Sequence, residues 1–302
     1  MLKTFTIAAS LAAFIATGAS AADVVVSSKI DTEGTLLGNI ILLSLNAAGI
    51  KAQDRIALGT TPVLRKAITS GEIDIYAEYT GNAGFFFNKA DDAAWKSNDA
   101  GYALAKKLDY DANKIVWLTP SPANNTWALA VRSDVAEPNK LKSLTDFGKW
   151  VSGGGKVKLA ASAEFVNSAA ALPAFQTTYN FKISPDQTIV LSGGDTSATI
   201  KAAADQTNGV NTAMVYGTDG AIEAAGLTVL EDDKSVQPVY APTPIIREAV
   251  LKANPKIEEV LAPVFKSLTA DELRKLNGRI QVDGEPAKSV AQSYLKDKGF
   301  LK

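Results

Sequence analysis

The stretch SGEIDIYAEYTGN, residues 70–82, decides the fold class. Gly71 closes a helix that opens at Thr61-Pro62, with Thr61 as N-cap and Pro62 in the first turn. Ile73–Glu78 then alternates apolar and polar residues, which predicts a strand. The strand ends on Tyr79 before the turn residues Thr80-Gly81-Asn82. A helix feeding a short strand is the repeating unit of an α/β chain, and the same unit recurs outward in both directions. Upstream, the β-branched run Asp23–Ser28 predicts a buried strand. Leu36, Leu37, Ile40, Ile41, Leu43 and Leu45 mark a helix from Thr32 that Gly49 caps. Downstream, strands are predicted at Lys114–Leu118, Thr126–Val131, Val157–Ala161, Thr188–Leu191, Thr212–Val215 and Leu227–Leu230. Helices are predicted at Ala93–Leu108, Leu144–Val151, Val166–Thr178, Ser197–Asp205 and Thr218–Ala225. The pattern predicts mainly parallel sheets.

Beyond Tyr240-Ala241-Pro242 the sequence reads as nearly all helical. Thr269-Ala270-Asp271-Glu272 has the form of a capping box, and Pro255, Pro263 and Gly284 punctuate the helices. An α/β body with a helical tail, in a chain of 302 residues, fits two lobes with the tail packed on one of them.

Composition removes much of enzymology. The chain has no histidine and no cysteine. It therefore has no Ser-His-Asp triad, no imidazole metal ligand, no thiol nucleophile and no disulfide. Its 31 Lys+Arg against 32 Asp+Glu give a net charge of −1, which argues against a nucleic-acid partner. Gly153-Gly154-Gly155-Lys156 lacks phosphate-loop spacing and reads as a turn. The loop acids Asp91-Asp92 and Glu231-Asp232-Asp233 lack the order of a calcium loop, so no metal site is expected. A pair such as Glu78 with Asp219 has only its residue type to recommend it for glycoside chemistry. Residues 1–21 read as an export signal: Lys3, an apolar run from Phe5 to Ala16, and Ala19-Ser20-Ala21 before the cut. The run falls short of the roughly 20 residues that span a bilayer. A protein exported to the periplasm and cleaved near Ala21 follows.

The aromatic residues carry the positive signal. Tyr79 and Tyr216 end predicted strands beside turn residues, Trp127 opens one, and Tyr240 lies between two prolines. Ligands of α/β sheets bind beyond the carboxyl ends of strands. For any one ring, core packing is the default; a converging set favours a ligand. Ring faces attract a quaternary ammonium, which is weakly hydrated and has no N–H to satisfy. Such capture needs no catalytic base, in agreement with the absent histidines.

At these residues the chain resembles the periplasmic substrate-binding proteins of ABC importers for glycine betaine, choline and related osmoprotectants. The resemblance spans the mature chain. It runs through Ser28–Glu33, SGEIDIYAEYTGN at 70–82, NNTWALAV at 124–131, AEF at 163–165, VYGTDGAI at 215–222 and LEDDKSVQPVYAPTPIIRE at 230–248. It is nearest to the subgroup of stress-induced osmoprotectant-binding proteins of enteric bacteria. It implies a two-lobed type II binding protein, a Venus flytrap with two crossover segments. Lobe one would be 22–127 plus 236–302, and lobe two 128–235. It implies no enzyme activity and no cofactor, a monomer, a small quaternary ammonium ligand, and permease subunits of the inner membrane as partners.

The same resemblance implies a box of Tyr79, Trp127, Tyr216 and Tyr240 around the ammonium, with Asn125 lining it through its carbonyl. Lys29 and Asn82 would meet the carboxylate end. The family's arginine three residues after the Glu-Phe pair is Ser168 here. A bidentate guanidinium is therefore missing, and weaker glycine betaine binding or a shift toward another quaternary amine, such as choline, is expected. The rival readings are the same fold holding an amino acid or other polar solute, and a carboxylate-based hydrolase.

Overall fold

The computed structural model describes residues 23–191 and 196–301; the stretch 1–21 read above as an export signal lies outside them. Ten strands are assigned among the described residues: β1 Val24–Lys29, β2 Ala52–Gly59, β3 Ile75–Tyr79, β4 Ile115–Trp117, β5 Trp127–Arg132, β6 Leu159–Ser162, β7 Thr188–Leu191, β8 Thr212–Tyr216, β9 Leu227–Val229 and β10 Pro242–Arg247. They form two sheets, in the orders β2-β1-β3-β10-β4 and β7-β6-β8-β5-β9. The chain leaves the first sheet after β4, builds the second, and returns through β10. Two segments therefore cross between the sheets, and each sheet is one lobe of the two-lobed type II architecture expected above.

Each sheet is covered on both faces. In the first, Val24, Val26, Ile75 and Ala77 pack against Leu37, Ile40 and Ile41 of helix Thr32–Ala47 and Leu273 of helix Ala270–Gln281. Its other face buries Trp95, Trp117, Tyr76 and Ile245. In the second, Leu129, Leu159 and Met214 face Phe147, Phe165 and Phe175, while Ala130, Ala160 and Val215 face Ile200 and Ile222. Burial on both faces explains why these strands read as short apolar runs.

Two expectations are corrected. The sheets are mixed: β1 pairs parallel with β2 and β3, and β6 with β7 and β8, but β10 runs antiparallel to β3 and β4, and β5 to β8 and β9. The strand created by each crossover enters its new sheet against the local direction. Second, the helical tail starts only at Glu248, because Pro242–Arg247 is a strand. Its two prolines are tolerated because the carbonyls of Pro242 and Pro244 accept from Ser121 N and Leu118 N, at 2.8 and 2.9 Å. At these two positions the strand is used as an acceptor, which a proline can still be. Pro263 lies inside helix Lys256–Ser267 instead of ending it.

Candidate functional site

The carboxyl end of β3 and the two crossover segments meet between the sheets. Tyr79 ends β3 opposite Pro242 of β10, so Tyr240, two residues earlier, stands beside it. The Tyr240 ring lies over Gly81, where a Cβ would come within 2.7 Å of a ring carbon. This close approach is the reason the turn after Tyr79 needs glycine. The two crossovers are bonded to each other: Tyr240 N donates to Asn124 Oδ1 at 2.8 Å, and Asn125 N to the Tyr240 carbonyl at 3.0 Å.

From the second sheet, Trp127 of β5 and Tyr216 of β8 sit directly opposite in the antiparallel register. Cross-strand neighbours of this kind place their side chains on one face. Their rings stack at 6.5 Å between centroids with an interplanar angle of 24°, and Phe165 meets Trp127 edge-on at 5.9 Å. Burial raises the pKa of the Tyr240 phenol, and the nearby Tyr216 adds to the rise. Burial likewise raises Tyr216, opposed by the Trp127 indole beside it. Tyr79 is pushed well up by burial and then by the charge of Glu33. All three phenols thus stay neutral, and their ring faces keep the electron-rich character that attracts cations.

The polar residues named from the sequence are engaged in ways the sequence did not reveal. Lys29, 6% exposed, pairs with Glu78 and lies 4.5 Å from the Tyr79 ring centroid. Asn82 Nδ2 donates to the same Glu78 at 2.8 Å, as do Tyr76 Oη and Tyr79 N. Glu78 is a fully buried, four-fold hydrogen-bonded anchor, which removes it as a hydrolytic acid. Asn125 Nδ2 donates to Glu33 at 3.1 Å. Ser168 stands just past helix Ala163–Asn167, three residues after Phe165.

Glu33 was not singled out by sequence reading, because an acid in the first turn of a helix is ordinary. The structure makes it the junction of the site. Its carboxylate accepts from Tyr79 Oη at 2.6 Å, Asn125 Nδ2, and Asn277 Nδ2 of helix Ala270–Gln281 at 2.8 Å. Burial raises its pKa; bonds from Thr218, Tyr79 and Asn277 oppose that rise, and Asp31 adds to it. Asn277 Nδ2 also reaches the Thr218 carbonyl, in the turn that follows β8, at 2.9 Å. Around it the turn Gly217–Gly220 seats on the same helix: Arg274 donates to the Gly217 carbonyl at 2.6 Å, and Gly220 N to Gln281 Oε1 at 3.0 Å. A Cβ on Gly220 would fall 2.2 Å from Gly278 N, so the two backbones touch only because both residues lack side chains.

A family model described as the substrate-binding domain of ABC-type glycine betaine transport systems, OpuAC, matches residues 22–297. Among curated proteins, the chain is 58% identical over 283 residues to the glycine betaine-binding protein YehZ of Escherichia coli strain K12, covering 94% of this chain and 93% of that protein. The solved structure of apo YehZ superposes with a TM-score of 0.89 over 93% of this chain and 100% of that one. A structure titled glycine betaine/carnitine/choline ABC transporter, at 20% identity, shares the fold with a TM-score of 0.80, covering 93% of this chain and 100% of that one.

Proposed function

The chain belongs to the OpuAC family of substrate-binding domains of ABC-type glycine betaine transport systems, and from that premise we propose that it captures a quaternary ammonium osmoprotectant, glycine betaine, choline or a similar amine, for an ABC importer. Proteins of this family bind small ligands and work with membrane permeases; they are not enzymes. The observation that supports the reading is the stacked pair of Trp127 and Tyr216 on one face of the second sheet, with the Tyr240 crossover bonded to the segment that leads into Trp127 and set beside the end of β3 at Tyr79. Glycine betaine is also the ligand in the printed name of the relative at 58% identity.

The cage draws on both lobes, with lobe one at 22–127 plus 236–302 and lobe two at 128–235. Lobe one offers Tyr79, and the crossovers offer Trp127 and Tyr240. Ligand binds one lobe, hinge closure brings Tyr216 over it, and expelled water strengthens the attraction between ring and cation. Lys29, Asn82, Asn125 and Ser168 line the polar end. Ser168 in place of a guanidinium makes glycine betaine binding weaker than a bidentate clamp gives. Substrate-binding proteins of such importers act outside the inner membrane; here the leader ending at Ala21 directs the protein to the periplasm, where it works as a monomer. No helix among the described residues is long and apolar enough to cross a membrane.

Isothermal titration with glycine betaine, choline and carnitine, with a sugar as control, tests the proposal. Tyr79→Ala and Tyr216→Ala are each expected to weaken binding by more than roughly 1 kcal/mol. If both variants bind as the parent does, or if the sugar binds and the amines give no heat, the cage is not the site.

A further inference from the structure

We propose that the indole N–H of Trp127 is the hydrogen-bond donor that meets the polar tail of the ligand, in place of the guanidinium that Ser168 cannot supply. The inference rests on the cage reading above and adds a specificity-determining atom to it.

The side-chain nitrogen donors named above are otherwise taken. Lys29 Nζ and Asn82 Nδ2 both serve Glu78, Asn125 Nδ2 serves Glu33, and Asn277 Nδ2 is shared between Glu33 and the Thr218 carbonyl. Trp127 Nε1 is buried and has no partner; among the described residues it is the sole buried side-chain nitrogen in that condition. Trp95 and Trp117 show what the chain does with indoles it packs for structure, since their N–H groups donate to the Lys89 carbonyl and to Asp109. The Trp127 N–H is also in the right place. The indole lies beside the Tyr216 phenol, close enough to oppose its rise in pKa and yet outside hydrogen-bond geometry. Tyr216 in turn neighbours Tyr240. The unpaired N–H therefore belongs to the ring cluster itself.

An indole N–H only donates. A buried donor without an acceptor is unfavourable, and that unfavourable term disappears when an acceptor arrives. The fitting ligand then carries an oxygen a short distance from its ammonium: a carboxylate, as in glycine betaine, which gives a charge-assisted bond, or a hydroxyl, as in choline. The ring face holds the methyl groups while the ring edge reads the tail.

Trp127→Phe keeps an aromatic face and removes the N–H. Titrations of parent and variant with glycine betaine, choline and tetramethylammonium separate the two contributions, because tetramethylammonium has no tail. The smaller ring weakens all three. The ratio of the glycine betaine Kd to the tetramethylammonium Kd is expected to rise about tenfold in the variant, and the choline ratio less. Unchanged ratios overturn the proposal, even if all three ligands bind more weakly. Failure of the parent to bind any of the three instead removes the cage reading, and this one with it. A second measurement needs no variant for its readout. The Trp127 indole proton resonance of the full chain, identified by its absence in Trp127→Phe, should move downfield with glycine betaine and not with tetramethylammonium. A resonance indifferent to glycine betaine overturns the assignment.

Discussion

Asp109→Ala is expected to destabilise the protein by about 3–5 kcal/mol, the range for breaking a buried ion pair from one side. Asp109 is fully buried in helix Asn98–Asn113. It accepts two bonds from Arg65, at 2.8 and 2.9 Å, and one each from Trp117 Nε1 at 2.8 Å and Asn113 Nδ2 at 2.9 Å. Alanine would leave the Arg65 charge, which is itself largely covered by the Phe86 ring at 4.4 Å, without a counter-ion. It would also orphan the Trp117 N–H. Asp109→Asn keeps an acceptor for Trp117 and the side-chain volume, so it should lose less. Chemical denaturation of the three proteins orders them. An Asp109→Ala loss below about 1 kcal/mol would mean that water or a shifted side chain replaces the carboxylate. The consequence reaches the site through Trp117, which pairs with Ile245 of β10, and through Trp95 of the same core, whose carbonyl accepts from Val239 N beside Tyr240. Loosening this core should therefore blunt ligand affinity as well.

The parts of the fold that read clearly from sequence are those where local chemistry and tertiary context agree. Gly71 takes a left-handed conformation at φ 80° where the sequence places a helix end, and Thr269 caps the helix that follows it by accepting from Glu272 N. The failures have equally specific causes. β2, AQDRIALG, is an edge strand with no fully buried residue, so it offers no apolar run. β10 hides behind two prolines whose missing N–H groups matter only if their partners are known. Strand direction is set by the crossovers, and no residue type announces it.

The site divides the same way. Tyr79, Trp127, Tyr216 and Tyr240 stand out because large rings beside turn residues at strand ends are unusual for pure core packing, and the resemblance named them one by one. The polar shell is illegible because it is built from pairings distant in sequence. Lys29 meets Glu78 49 positions away, and Glu33 meets Asn277 244 positions away. Each of these residues, read alone, has an ordinary role.

Glu33→Gln is expected to abolish a pH dependence of ligand affinity that the parent shows above the ordinary carboxylate value of 4.5. The sign follows from the direction of the shift. Burial raises the folded Glu33 above its ordinary value of 4.5. Between that value and the folded one, the folded chain keeps a proton that the unfolded chain has released. Stability from this group is therefore fully present below the ordinary value and falls by about 1.4 kcal/mol per pH unit across the window. Above the window the penalty is constant. Above the window the protein thus holds a costly anion, bonded to Tyr79 and Asn125 on the cage side and to Asn277 behind. The other charges nearby do not cancel it: Lys29 is paired with Glu78, Arg274 with Asp271 and the Gly217 carbonyl, and Asp31 is of the same sign. A quaternary ammonium in the cage reverses the balance, since a positive charge favours the ionised carboxylate. Binding should therefore release a proton within the window, and affinity should weaken as the pH falls through it, by roughly tenfold for each pKa unit the ligand displaces. The chain has no histidine, so no imidazole contributes to the proton count. Titration calorimetry in buffers of different ionisation enthalpy measures the proton directly. Glutamine should flatten the profile, and its melting temperature should lose the fall that the parent shows as the pH rises through the window. Matching pH profiles for Glu33→Gln and the parent, with no proton released by either, would show that the buried carboxylate binds the lobes together without sensing the ligand's charge.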